Sequence, residues 1–170
     1  MDESPTPVMK VELQNQQRRH KVRSRRIRAL TARLAEHMAR RSGEAWGEIT
    51  LRLADDPVMR DRKRRYFGLD ETTDVISFRI DPVPGESPRP CGDLLVNVEC
   101  AVREGVRRRG GADEELALYI AHGLHHLTGA EDRTPDQRRA MRRVERRWLR
   151  EVHRAGMVKG LVEDDHEYGS

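Results

Sequence analysis

The sequence predicts an α+β fold: a single domain with a roughly four-stranded mixed sheet packed with about five helices. Three observations lead there. Alternating or β-branched segments interleave with helix-period segments through the first half of the chain. The last third carries helix-period patterns alone. The length, 170 residues, is that of one domain, and a chain of this size hides roughly 70% of its unfolded surface.

The elements follow in order. Residues 1–8, MDESPTPV, are polar and proline-containing and are expected to be a flexible N-terminus. VMKVELQNQ (8–16) alternates and opens the domain as a short strand. In RSRRIRALTARLAEHMARRSG, Ile27, Leu30, Leu34 and Met38 recur at helical spacing with arginines on the other faces; Ser24 is the expected N-cap and Gly43 the stop. EITLRLADD (48–56) sets Ile49, Leu51 and Leu53 against polar neighbours, the pattern of a half-buried strand. Asp55 or Asp56 can cap the next helix, Pro57 suits its first turn, and Gly68 ends it.

TTDVISFRI (72–80) is β-branched and aromatic, a strand. The proline-rich stretch 81–92 is a loop. DLLVNVEC (93–100) is a strand leading into a helix around Ala101–Arg109, broken by Gly110 and Gly111. Asp113–Thr128 predicts a helix apolar on most sides, hence central and covered; Gly129 stops it. Thr134, Pro135 and Gln137 form a capping box for a last helix reaching about His153, with Met141, Val144, Trp148 and Val152 on one face. The expected domain is 9–154, followed by a flexible acidic tail, 155–170. No repeat of fixed period is present.

Composition narrows the function classes. Hydrophobic residues make up 36% and charged residues 36%, yet the periodic Leu, Ile and Val runs argue against a disordered chain. The net charge is +4 and the isoelectric point about 9.4, which suits a polyanionic partner such as nucleic acid. No apolar run approaches the ~20 residues of a membrane span. Cys91 and Cys100 flank an expected strand and so lie roughly 30 Å apart, too far to bridge. That spacing, and an N-terminus unlike a signal peptide, point to a cytoplasmic location.

The chemistry concentrates in AHGLHHLTGAEDR (121–133). His122 and His126 lie four residues apart on one helix face, where two imidazoles can share an ion. His125 is turned away and reads as packing or support. Gly129 lets the chain reverse, bringing Glu131 or Asp132 back toward the rings. Two histidines and one carboxylate leave a fourth tetrahedral position for water. Three histidines on an otherwise apolar helix would be costly to bury without such use. The peptidase signature His-Glu-x-x-His fails at its second position, which is Gly123, so peptidase chemistry lacks its base.

The same segment resembles the YbeY family, bacterial rRNA maturation factors described as metal-dependent endoribonucleases. His122, Gly123, His126, Leu127 and Gly129 match the family pattern His-Gly-x-Leu-His-Leu-x-Gly-Tyr-Asp-His in register. Thr73, Asp74, Val75, Ile76, Ser77 and Phe78 match a second block, and Gly92, Asp93, Leu94, Leu95 and Val96 a third; Tyr66 and Gly68 also coincide. Where relatives carry a third histidine this chain has Asp132, and Phe67 replaces the arginine that follows their tyrosine.

The resemblance implies a zincin-like metal helix and one Zn2+ per chain, held by His122, His126 and Asp132. It implies a single-strand-specific endoribonuclease acting in 16S rRNA 3′-end maturation and ribosome biogenesis, with rRNA or a ribosomal subunit as partner. Glu131 is the nearest uncommitted carboxylate and the candidate general base. Arg64, Arg65, Arg107 and Arg108 are the candidate RNA contacts, since loop and surface arginines grip a backbone without reading sequence. Two alternatives stand beside this reading: a catalytically weak RNA-binding ribosome-biogenesis factor, favoured by Phe67, and a metallohydrolase with another substrate.

Overall fold

A computed structural model describes residues 8–86 and 88–163. The order is β1 (Lys10–Asn15), α1 (Ser24–Ser42), β2 (Glu48–Ala54), α2 (Asp56–Phe67), β3 (Val75–Ile80), β4 (Cys91–Asn97), α3 (Val98–Arg108), α4 (Gly111–Leu127) and α5 (Pro135–Arg154). The four strands form one mixed sheet in the order β1-β2-β4-β3. β1, β2 and β4 are parallel; β3 runs antiparallel to β4 at the sheet's edge. The α+β class and the element order agree with the sequence reading.

Successive strand residues point to opposite faces, and this divides the domain. Ile49, Leu51 and Leu53 of β2 stand in register with Gly92, Leu94 and Val96 of β4. Their side chains meet Ile27, Leu30, Leu34 and Met38 of α1 and the apolar positions of α4 in the main core. On the reverse face Ala54, Ile76 and Leu95 pack with Met59 of α2 in a small second cluster. Helix α2 therefore lies behind the sheet, and α1 and α4 in front.

Local chemistry sets the boundaries, and some differ from expectation. Ser24 does not cap α1: it is the first helical residue, and the cap position, Arg23, makes no side-chain capping bond. Asp55 does cap α2, accepting from the Val58 amide. β3 begins at Val75 because the preceding residues are used otherwise: Thr72 donates to Asp56, and the Asp74 carboxylate accepts from the Val75 amide. α3 starts earlier than expected, at Val98, because the Asn97 side chain caps the Cys100 amide. The break after α3 falls on Arg109, at φ 64°, while Gly111 already belongs to α4. Thr134 and Gln137 form the full capping box of α5.

The stretch expected to be flexible from residue 155 is packed as far as the description reaches, at Glu163. Val158 and Leu161 are buried, Val162 bridges to Val22, and Asp113 of α4 accepts from the amides of Gly160, Leu161 and Val162. The domain therefore runs past 154. Residues 1–7 and 164–170 lie outside the described residues.

Candidate metal centre

Helix α4 lies unusually close to the sheet, and Gly123 allows it. A Cβ there would sit 2.8 Å from a Val75 methyl and 2.9 Å from a Leu94 methyl. Ser77 of β3 donates to the Gly123 carbonyl at 2.9 Å. The position that carries the base in zinc peptidases is thus pressed against β3 and β4, with no room for a carboxylate. His122, the residue just before it, and His126, about one turn beyond, line one cavity with Val75 and Ser77 of the edge strand.

Their rings meet edge-on at 85°, with centroids 4.5 Å apart, and the two Nε2 atoms are 3.0 Å apart. Gly129, at φ 88°, reverses the chain after α4. The reversal brings an Asp132 carboxylate oxygen to 3.5 Å from each Nε2. Arg138 of α5 holds that loop by donating to the Asp132 carbonyl. His122, His126 and Asp132 form the group of potential ligands found among the described residues.

The groups behind the rings decide what the front can do. His126 Nδ1 lies 3.0 Å from the Ala130 carbonyl, which only accepts, so Nδ1 carries the proton and Nε2 of the neutral ring presents a lone pair. His122 Nδ1 lies 2.8 Å from Glu145 of α5. Burial would raise the Glu145 pKa, but the hydrogen bonds from His122 and His125 outweigh it and hold the group ionised. With Nδ1 donating to that carboxylate, the neutral His122 ring also aims a lone pair at the common point. Two imidazole lone pairs 3.0 Å apart repel unless a cation or a proton lies between them.

The donor set fits zinc. Donors held tetrahedrally at about 2.0–2.2 Å lie roughly 3.3–3.6 Å from one another, close to the separations here. The outer carboxylate and carbonyl are the partners that fix ring tautomer in such sites. Without the metal, burial lowers the His122 pKa, while Glu145, Asp132 and Asp74 outweigh it and raise it; a proton then takes the cation's place. His125 stays outside: it is buried, bonded to Glu145 at 3.1 Å and packed against Trp148.

The centre opens on both sides of Asp74. One lobe, about 450 Å³, is lined by Thr73, Asp74, Val75 and Ser77 beside the three donors. The other, about 380 Å³, continues between α4 and α5 and is lined by Arg108, Arg138, Arg142 and Arg146 with His122, Asp132 and Asp74. Of the four arginines the sequence singled out for RNA, only Arg108 faces this cleft. Arg107 pairs with Glu104. Arg64 and Arg65 pair with Asp61 on α2, behind the sheet. Glu131 is exposed and lines neither lobe.

Sequence reasoning missed Glu145 and the α5 arginines. The signal for Glu145 was present: with Met141, Trp148 and Val152 it keeps the spacing of the buried stripe, and a carboxylate on such a stripe requires a partner.

A family model described as Endoribonuclease YbeY matches residues 12–153. Curated relatives of that name include one from Anaeromyxobacter sp., 35% identical over 81% of this chain and 69% of its own length. The Thermus thermophilus protein is 33% identical over 73% of this chain and 87% of its own. The Myxococcus xanthus protein is 33% identical over 69% of this chain, which spans only 40% of that longer relative. A solution structure from Thermotoga maritima superposes with a TM-score of 0.57 at 16% identity, covering 95% of this chain and 99% of that one; at that identity the likeness speaks for the fold.

Proposed function

The chain belongs to the YbeY family of endoribonucleases, and from that membership we propose that it is a zinc-dependent, single-strand-specific endoribonuclease acting in 16S rRNA 3′-end maturation and ribosome biogenesis. The observation that carries the proposal is the convergence of His122 Nε2, His126 Nε2 and an Asp132 oxygen on one point, with both rings oriented from behind.

When bound there, zinc would make its water acidic enough to supply a nucleophile near neutral pH and would polarise a phosphoryl oxygen. Asp132 would contribute a negative charge that relatives with a third histidine lack, and so would leave that water less acidic. Glu145 keeps His122 in the ligating tautomer. Asp74, in both lobes of the cleft, is better placed than Glu131 to accept a proton from an attacking water. Arg138, Arg142 and Arg146 give the cleft the charge to hold a phosphodiester backbone, while Arg108 beside them is paired with Glu104 and Glu115. Among the described residues no helix is long and apolar enough to cross a membrane.

The test is cleavage of an unstructured RNA and of the same sequence as a duplex, by stripped and by zinc-reloaded protein. Zinc-dependent cleavage of the single strand, lost in His126→Ala, is expected. Zinc-independent cleavage, or equal cleavage of the duplex, refutes the proposal. The runner-up, a weakly catalytic RNA-binding factor, is favoured by Phe67: it stands exposed and stacked on Phe78 where relatives carry a cation. Zinc-dependent RNA binding without turnover would select it.

A further inference from the structure

Behind the sheet, helix α2 carries Arg60, Arg62, Lys63, Arg64 and Arg65. Arg60 pairs with Asp70, Lys63 with Glu71, and Arg64 and Arg65 with Asp61. Of these five, Arg62 alone has no ionic or hydrogen-bonding partner among the described residues. It is only part-exposed, and it lines a concavity of about 260 Å³ with Tyr66, Phe78 and Leu95, bordered by Arg52 and Asp93. Asp93 is neutralised by two hydrogen bonds of 3.0 Å from Arg52. The pocket therefore offers one uncompensated cation beside aromatic walls.

The aromatics are presented rather than buried. Tyr66 is 58% and Phe67 52% exposed. Tyr66 leans on Phe78 at 5.0 Å, and Phe67 stacks on it at 6.2 Å and 11°. Open rings interleaved with an unpaired arginine suit a ligand that joins a planar π-face to an anion. A nucleotide does so: the base stacks and the phosphate meets the guanidinium.

The position relates this pocket to the metal cleft. Val75 and Ser77 of β3 face the cleft, while Phe78, the residue after Ser77 and roughly 10 Å along the strand from Val75, faces backward. β3 is an edge strand, so a flexible chain can pass from cleft to pocket around it. We propose that the Arg62–Tyr66–Phe78 pocket holds a base of the single-stranded RNA whose backbone occupies the metal cleft, so that substrate wraps the β3 edge. This rests on the endoribonuclease reading above.

The test uses the zinc-loaded protein, a labelled unstructured RNA long enough to round the edge, and a trinucleotide that is not. Tyr66→Ala and Arg62→Ala are each expected to weaken the longer RNA roughly tenfold, with trinucleotide binding and zinc content unchanged. Tyr66→Trp is expected to bind as the parent does, and its added fluorescence to be quenched by RNA; Trp46 and Trp148 are buried and supply a constant background. Unchanged affinity in both alanine variants, with RNA bound normally by the parent, overturns the pocket alone. Failure of the parent to bind RNA overturns the endoribonuclease reading and the pocket with it. Self-association of the parent that Tyr66→Ala abolishes, without effect on RNA, would assign the patch to a second copy and overturn the proposal.

Discussion

Replacing Glu145 by alanine separates a metal-centre role from ordinary packing. One oxygen of Glu145, 2% exposed, accepts from His122 at 2.8 Å and His125 at 3.1 Å. Its removal has two calculable effects. The His125 Nδ1–H, itself buried, is left without an acceptor, which costs about 1–3 kcal/mol of stability; His122 is more open and can turn to water. The ligating ring of His122 also loses its orienting carboxylate, a change that lowers metal affinity roughly 10–100-fold in comparable sites, or about 1.4–2.8 kcal/mol. Glu145→Gln keeps an acceptor oxygen but no charge, so most stability returns while zinc affinity stays intermediate. Competition against a chromophoric zinc chelator measures the affinity, and urea unfolding of the stripped protein measures the stability. Parental zinc affinity in a folded Glu145→Ala protein would refute the argument from tautomer and charge, and with it the reading of His122 as an oriented ligand.

Metal analysis is expected to give about one zinc per chain and clearly less in His122→Ala and in Asp132→Ala; full occupancy in the latter would remove Asp132 from the ligand set. Arg142 and Arg146 line the cleft with no ionic partner among the described residues, so their double alanine variant should reduce the slope of log affinity against log salt by roughly 1.4 for single-stranded RNA, with zinc content unaltered. Asp56 accepts from Asn97, Thr72 and Arg103. Burial raises its pKa, but Arg103 and Asn97 outweigh it and the net shift is downward. Its stabilisation is therefore complete above the ordinary carboxylate pKa of about 3.9 and is lost as pH falls through the lower folded value. Asp56→Asn should be about 2 kcal/mol less stable at neutral pH, the difference closing in acid; a constant gap across an acid titration would contradict this.

Much of the fold was legible because its signals are local. Ile49, Leu51 and Leu53 alternate, α1 repeats its leucines every three or four residues, and Thr134 to Gln137 spells a cap. Two metal-ligand candidates were legible for the same reason, being one turn apart on α4. What was not legible depends on the third dimension. Glu145 reaches His122 across the α4–α5 contact, which no spacing encodes. Arg64 and Arg65 looked like RNA contacts until the alternation of β4 put α2 behind the sheet. The segment after 154 has only Met157, Val158, Leu161 and Val162 to show, with no period, and its order comes from Asp113 on another helix.

That last attachment bears on how the molecule assembles. Val22 lies just before α1 and Val162 near the end of the described chain, so their pairing closes a loop that spans nearly the whole domain. Contacts of such sequence separation carry the largest loop-closure entropy and form late. The sheet and α4 can gather from nearer neighbours while the clasp around Asp113 is still open. On a chain emerging from the ribosome, the histidine pair would be built before the domain is latched, and a block to latching would leave a formed but unsecured site.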